Sequence, residues 1–278
     1  MSKALEVRDL VVEYPTGAGV KRSVDGLSLD VNEGEIVGVA GQSAAGKSIL
    51  ARALINFVPK PGRITDGSVR VFGREVLTMS ESELRKLRGD DVGMIVQNAR
   101  AHLNPVLRVG HQIRNVYQAH HKGKRAEVKD KVVDMLRSVG IPAPEQRYSA
   151  YPHELSGGMA QRCMIAMAMI CSPKLIIGDE PTSGLDVTIQ DQILRLFRKS
   201  VKEQHGTAGI LVSRDMGIIA NFCDRVAVMD EGKIVETAKV PEFFVEAKHP
   251  SSRALIAAAS YQKGAADLEE VNRTREMT

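Results

Sequence analysis

The segment that most restricts this chain is the octapeptide Gly41-Gln42-Ser43-Ala44-Ala45-Gly46-Lys47-Ser48, which lies between a short apolar run, Ile36–Ala40, and a stretch of helical composition, Ser48–Phe57. A continuous apolar run of this length suits a strand buried on both faces. The glycines let the backbone turn so that successive N–H groups face one point. A helix starting at the end of the loop adds the positive end of its dipole. The pattern GxxxxGK[ST], in strand–loop–helix context, therefore reads as a cradle for phosphate oxygens. Lys47 is placed to reach the β- and γ-phosphates of a nucleotide, and the Ser48 hydroxyl to ligate Mg²⁺. The expected nucleotide contacts are Gly41, Gln42, Ser43, Ala44, Ala45, Gly46, Lys47, Ser48 and the following Ile49. A chance match to such a pattern arises in about one chain in a hundred of this length, and the flanking context lowers that further.

A second segment complements the first. Leu175-Ile176-Ile177-Gly178 is another apolar run, and it delivers Asp179 and Glu180 to its C-terminal end, where α/β sheets bind ligands. Beside a phosphate loop, Asp179 is expected to hold Mg²⁺ through water, and Glu180 to polarise an attacking water as general base. An adjacent acidic pair standing alone is as well explained as a helix cap.

The remainder of the chain bounds the architecture. Leu5–Glu13 and Ser23–Val31 alternate apolar and polar residues, as half-buried antiparallel strands do, with a turn at Pro15–Gly19. Strands are expected at Ser68–Phe72, Val92–Val96, Lys174–Gly178 and Gly209–Ser213, and a closing hairpin at Val226–Met229 with Lys233–Glu236. Helices are expected near Ser80–Leu87, at Thr188–Gln204 and at Met216–Phe222, and from about Pro105 to Cys171 the pattern is helical with breaks at Gly123, Gly140–Pro144 and Tyr151–Pro152. The expectation is an α/β nucleotide-binding core with an antiparallel β edge and an inserted α-helical subdomain. Its boundaries are residues 1–98 and 173–248 for the two parts of the core, 99–172 for the helical insert, and 249–278 for a C-terminal helix and polar tail. The net charge of +4 argues for no particular partner. Three scattered cysteines, Cys163, Cys171 and Cys223, read as buried reduced thiols rather than a disulfide framework. Neither a secretory signal nor an apolar run long enough to cross a bilayer is expected, so a part in membrane transport requires partners that supply the spans.

Leu155-Ser156-Gly157-Gly158-Met159-Ala160-Gln161-Arg162, lying between the two phosphate motifs, resembles the signature motif of the ABC (ATP-binding cassette) ATPases. The resemblance covers about Leu5 to Ala259 and implies an ATPase that uses ATP and Mg²⁺. It implies that Ser156, Gly157 and Gly158 face the γ-phosphate held by a second cassette, so that two cassettes share two sites. Gln97 looks like the glutamine that touches Mg²⁺ and links the core to the helical subdomain. Ser183-Gly184-Leu185-Asp186 resembles the loop at the cassette interface, which marks Asp186 as a contact. Tyr14 looks like the aromatic that stacks on adenine, although a Tyr at a strand end is more often packing. Asn104-Pro105-Val106-Leu107, Tyr151-Pro152-His153-Glu154-Leu155 and Asp186-Val187-Thr188 resemble the dipeptide, oligopeptide and nickel importer ATPases. That branch implies two transmembrane permease subunits, an extracytoplasmic solute-binding protein, a position on the cytoplasmic face of the inner membrane, and no nucleic acid. The alternatives are a soluble ABC ATPase acting on nucleic acid or ribosomes, and an ATP-binding regulatory cassette.

Two residues depart from the family pattern. Arg214, in Ser213-Arg214-Asp215, stands where the family has a histidine near the γ-phosphate. A permanent cation can bind phosphate but cannot act as a neutral imidazole. Two expectations follow: the site built with Lys47, Asp179 and Glu180 binds ATP but turns over slowly, or Arg214 substitutes adequately for the histidine. Ala44 replaces a glycine, which is costly only if its φ is positive. His120-His121 read as a solvated loop between helices, and Met159, Met164, Met167 and Met169 as packing of the signature helix.

Overall fold

The N-terminal alternation forms two long antiparallel strands, β1 (Lys3–Thr16) and β2 (Gly19–Asn32), in a computed structural model that describes residues 2–17, 19–203 and 206–259. Buried partners face each other across the pair, as in Leu5↔Val31 and Val7↔Leu29. β3 (Ile36–Ala40) is buried at every position and leads through the Gly41–Gly46 loop to α1 (Lys47–Ala53). Then come β4 (Arg63–Val71), β5 (Arg74–Glu75), α2 (Glu81–Leu87) and β6 (Val92–Ile95). Ser80 caps α2 in a reciprocal capping box with Glu83. The helices α3 (Ala99–His102), α4 (Val109–His120), α5 (Arg125–Ser138), α6 (Pro144–Arg147) and α7 (Gly157–Met169) follow without an intervening strand. β7 (Leu175–Asp179), α8 (Val187–Glu203), β8 (Ala208–Val212), α9 (Met216–Phe222), β9 (Arg225–Asp230), β10 (Lys233–Lys239) and α10 (Val240–Glu246) come next, and a last helix spans residues 250–259. Residues 260–278 of the expected C-terminal helix and polar tail lie outside the described residues.

The strands form two sheets. β2-β1-β4-β5 is antiparallel throughout, a sheet in its own right, while β10-β9-β3-β8-β7-β6 is parallel except for β10. β3, β7 and β8 are buried at all five positions each, as expected for strands covered on both faces. Successive residues of these strands feed opposite cores. Val37, Val39, Ile177 and Ile210 join β1, β2, β4 and α1 on one side. Ile36, Ile176 and Leu211 join α4, α5, α7, α8 and α9 on the other. That second core runs unbroken from the sheet to Ile113, Val132 and Leu136 in α4 and α5, so the consecutive helices are tied to the sheet by shared apolar packing. At Gly38 a side chain would meet Ile219 Cδ1 at 2.6 Å and Cys223 Sγ at 2.9 Å, so the glycine is what lets α9 lie directly on β3. Among the described residues no helix is long and apolar enough to cross a membrane.

Some local expectations change. The helix after the loop ends at Ala53, not Phe57, because Asn56 takes a left-handed conformation (φ 50°) and Phe57 N–H turns back to Arg52 O. His120 and His121 are not a free loop. They end α4 against the 89–91 turn: His121 Nε2 lies 3.1 Å from Asp90 Oδ1, its ring stacks on Tyr117, and a side chain at Gly89 would strike His120. The physical cause is the close return of α4 to the sheet, which sequence spacing does not show. All three cysteines are buried and unpaired. Burial pushes the thiol of Cys163 up to about 12 and that of Cys171 up to about 11, which keeps both protonated and unreactive. Met164 and Met169 are buried in the packing of α7, with Met159 and Met167 against the same cores.

Candidate functional site

Because β3, β6, β7 and β8 are parallel, their C-terminal ends share one edge of the sheet. The segments leaving that edge are the Gly41–Gly46 loop, Val96–Asn98, Glu180 and Ser213–Asp215. They surround one cavity of about 300 Å³ lined by Ser43, Ala44, Ala45, Gly46, Lys47, Ser48, Ile49, Gln97, Glu180 and Arg214.

The loop is shaped by contacts that only glycine allows. A Cβ at Gly46 (φ 105°) would lie 2.1 Å from Ser23 O, and one at Gly41 would lie 2.2 Å from Met229 O. Ala44 takes φ 65°, so the expected departure is the strained kind for a residue with a Cβ. Among the described residues no backbone carbonyl accepts from the N–H groups of Gly46, Lys47, Ser48 or Ile49, as the donors of an anion cradle require. The Lys47 ammonium is almost fully buried and donates to Gly41 O at 2.8 Å and Gln42 O at 2.7 Å. Burial lowers its pKa, with Arg214 acting in the same direction and Glu180 and Asp179 opposing.

The Ser48 hydroxyl donates to Asp179 Oδ1 at 2.9 Å, joining residues 131 positions apart. Asp179 is 1% exposed. Burial raises its pKa, only partly offset by the Ser48 hydrogen bond and the Arg52 charge. A buried carboxylate beside a hydroxyl, both oxygen donors and neither bonded to a basic side chain among the described residues, suits a hard divalent ion. Glu180 takes a left-handed conformation (φ 47°), a strain found where a side chain must be aimed, and its N–H is tied to Val212 O. Both oxygens of its carboxylate are held by Arg214: Nε lies 2.6 Å from Oε1 and Nη2 lies 2.8 Å from Oε2. That pairing also raises the Arg214 pKa.

Other expected residues lie elsewhere. Ser156 is the N-cap of α7, its Oγ accepting from Met159 N–H. Among the described residues a Cβ at Gly157 would meet nothing within 4 Å, and one at Gly158 would meet Leu185 Cδ2 at 3.3 Å. Ser156, Gly157 and Gly158 do not line the phosphate-loop cavity. Asp186 accepts from Ile189 N–H at the start of α8, beside a second cavity that shares Glu180 and Arg214 with the first. Tyr14 is not among the cavity residues either. Its ring abuts Gly62, where a Cβ would come within 2.3 Å of Cζ, and its buried hydroxyl has no hydrogen-bond partner among the described residues.

One contact went unassigned in the sequence although it lies in the signature run. Gln161, 5% exposed, donates through Nε2 to Pro181 O at 2.8 Å and, more weakly, to Val96 O at 3.4 Å. It thereby ties α7 to the residue after Glu180 and the residue before Gln97. A buried glutamine in a helix otherwise turned to the core was the available signal, since such a group needs partners.

A glycine-bounded loop after a buried parallel strand, a buried lysine and a hydroxyl–carboxylate pair at the same sheet edge define a phosphate-loop nucleotide-binding α/β ATPase. Residues 24–183 match the ABC transporter family. A probable peptide ABC transporter ATP-binding protein of Sinorhizobium fredii is 45% identical over 253 residues, 91% of this chain and 75% of that protein. The oligopeptide transport ATP-binding protein OppD of Bacillus subtilis is 41% identical over 258 residues, 92% of this chain and 72% of that protein. In fold, a dimeric ATP-binding cassette in a post-hydrolysis state bound to ADP and Pi superposes with TM-score 0.77 at 24% identity, over 85% of this chain and 98% of that one. The chain belongs to the ABC transporter family as an ATP-binding subunit, an ATPase whose hydrolysis is coupled to transport.

Proposed function

We propose that this subunit drives import of peptides, nickel or related small solutes through two separate permease subunits, at the cytoplasmic face of the inner membrane, with an extracytoplasmic binding protein presenting the solute. The similarity to peptide-transport ATP-binding proteins supports the solute class. The single observation that carries the two-cassette reading is the separation of the α7 N-terminus from the phosphate-loop cavity. Ser156, Gly157 and Gly158 are open to a partner and contribute nothing to the site of their own chain. In this reading they complete the site of a second cassette, identical or different, with Asp186 near the shared face. The helical segment 99–172 then moves as a subdomain with its signature, and the core halves 1–98 and 173–248 hold the nucleotide.

The site residues take the following parts. The loop from Gly41 to Ile49 binds the phosphates through its backbone, and Lys47 exchanges its two carbonyl contacts for β- and γ-phosphate oxygens. Ser48, Asp179 and Gln97 are the oxygen donors for Mg²⁺, which when bound neutralises phosphate charge. Glu180 accepts a proton from the water that attacks the γ-phosphorus as the bond to ADP breaks. Tyr14 would have to leave Gly62 to stack on adenine, which makes it the least supported contact.

The test is purification of the full chain from its native membrane, followed by reconstitution in vesicles. Recovery with a pair of polytopic membrane proteins, and uptake of labelled dipeptide that requires MgATP, are the expected results. Recovery with nucleic acid or ribosomes instead would overturn the transport reading.

A further inference from the structure

We infer that Arg214 lets this site tell a nucleoside triphosphate from a diphosphate, by gripping the Glu180 carboxylate until a terminal phosphate takes the guanidinium from it. The inference rests on the proposed role of Glu180 as the base.

The geometry of the pair is the first ground. Two parallel N–H···O contacts, at 2.6 and 2.8 Å, occupy both oxygens of Glu180. This fork is the strong form of an arginine–carboxylate pair. A carboxylate held in this way has one of the two lone pairs on each oxygen taken by the guanidinium, so a water can reach only the outer pair of each. In this arrangement the side of the Glu180 carboxylate turned to Arg214 is masked.

The second ground is which partner can move. The Glu180 side chain is 12% exposed and that of Arg214 57%. The Glu180 backbone is tied to Val212 O. The Arg214 backbone is fixed too: Asp215 N–H donates to Ser213 Oγ, and the Asp215 carboxylate caps α9 through Gly217 and Ile218 N–H. What remains free is the long arginine side chain, more than half in solvent. Opening the pair therefore means swinging Arg214 and leaving the carboxylate where it is.

The third ground is the wall they share. Arg214 and Glu180 line the cavity of the phosphate loop together with Lys47, Ser48 and Gln97. Among the described residues the charged groups lining this space are Lys47, Glu180 and Arg214, with buried Asp179 and the Arg52 charge acting on it behind them. Lys47 is buried against two loop carbonyls, whereas Arg214 is the cation with reach. A terminal phosphate brings about two negative charges and three oxygens where Glu180 has one charge and two oxygens. It therefore competes for the fork, and Glu180 is left free to accept a proton. A diphosphate ends one phosphate short and leaves the grip intact. Each turnover then includes an exchange of ion pairs, which gives the expectation of slow turnover a physical form.

Two measurements on the full chain test this, with Mg²⁺ present. The first compares affinities for ADP and for a non-hydrolysable ATP analogue in the parent, Arg214→Lys and Arg214→Gln. Removal of the guanidinium should weaken the triphosphate by about threefold to fivefold, the size expected for a half-exposed charged contact, and leave ADP unchanged. Arg214→Lys should retain part of the preference. The second follows the Arg214 Nε–H resonance by NMR, assigned from its loss in Arg214→Lys. It should shift with the triphosphate and stay at its ligand-free position with ADP. If both nucleotides bind the parent but neither the affinity ratio nor the resonance depends on the terminal phosphate, the grip is permanent and the inference fails alone. If no nucleotide binds, the reading of the site fails with it.

Discussion

Ala44 offers a measurement in which the sign of the effect is set by one backbone angle. Its φ of 65° places an L-residue in the left-handed region, which costs about 1–2 kcal/mol relative to a glycine there. Glycine brings back about 0.5–1 kcal/mol of unfolded-state entropy. Ala44 is exposed, so its methyl adds little burial to either side. Ala44→Gly should therefore stabilise the chain by about 0.5–1 kcal/mol, a rise in Tm of about 1–4 °C for a chain of this size. The neighbour is the control. Ala45 is 6% exposed and is not among the residues with positive φ. Ala45→Gly should destabilise by about 1–2 kcal/mol, from the lost methyl burial and the added chain entropy. Thermal melts followed by circular dichroism, without nucleotide and at one protein concentration, read both. Opposite signs are expected. A fall in Tm for Ala44→Gly matching that of Ala45→Gly would refute the reasoning, since it would mean that the loop responds only to added flexibility.

Two further outcomes follow from buried polar groups. Gln161→Leu removes the donor to Pro181 O and Val96 O, so kcat for ATP should fall by about tenfold with KM for ATP little changed, and a fall confined to Tm would refute a positioning role. For Asp179, burial raises the folded pKa above the unfolded value near 3.9, so the folded state holds the proton more tightly. Stability should fall as pH rises through that value and level off above the folded pKa. Asp179→Asn, unfolded with urea in the presence of a chelator, should lose this slope and gain on the parent toward neutral pH; an unchanged slope would show that Asp179 titrates as an exposed group.

Where the chemistry is local, the chain announced it. Ile36–Ala40, the glycine-bounded loop and Lys47-Ser48 are adjacent residues, and strand, turn and helix follow from short-range sterics and apolar patterning. The apolar run Leu175–Gly178 placed Asp179 and Glu180 at a strand end for the same reason, and β3 and α9 came out with the bounds expected of them. Contacts between distant segments were not legible. The Ser48–Asp179 hydrogen bond, the Arg214 fork on Glu180, the tie from Gln161 to Pro181 and the seat of His121 beside Asp90 join residues from 20 to 131 positions apart. The first three exist because parallel pairing of β3, β6, β7 and β8 gathers their loops at one edge, and the last because α4 returns to the turn before β6. Composition could name Arg214 as a departure, and Ala44 as one that mattered only if its φ were positive. The packing around them decided that Ala44 is strained, and that the arginine holds both oxygens of the Glu180 carboxylate.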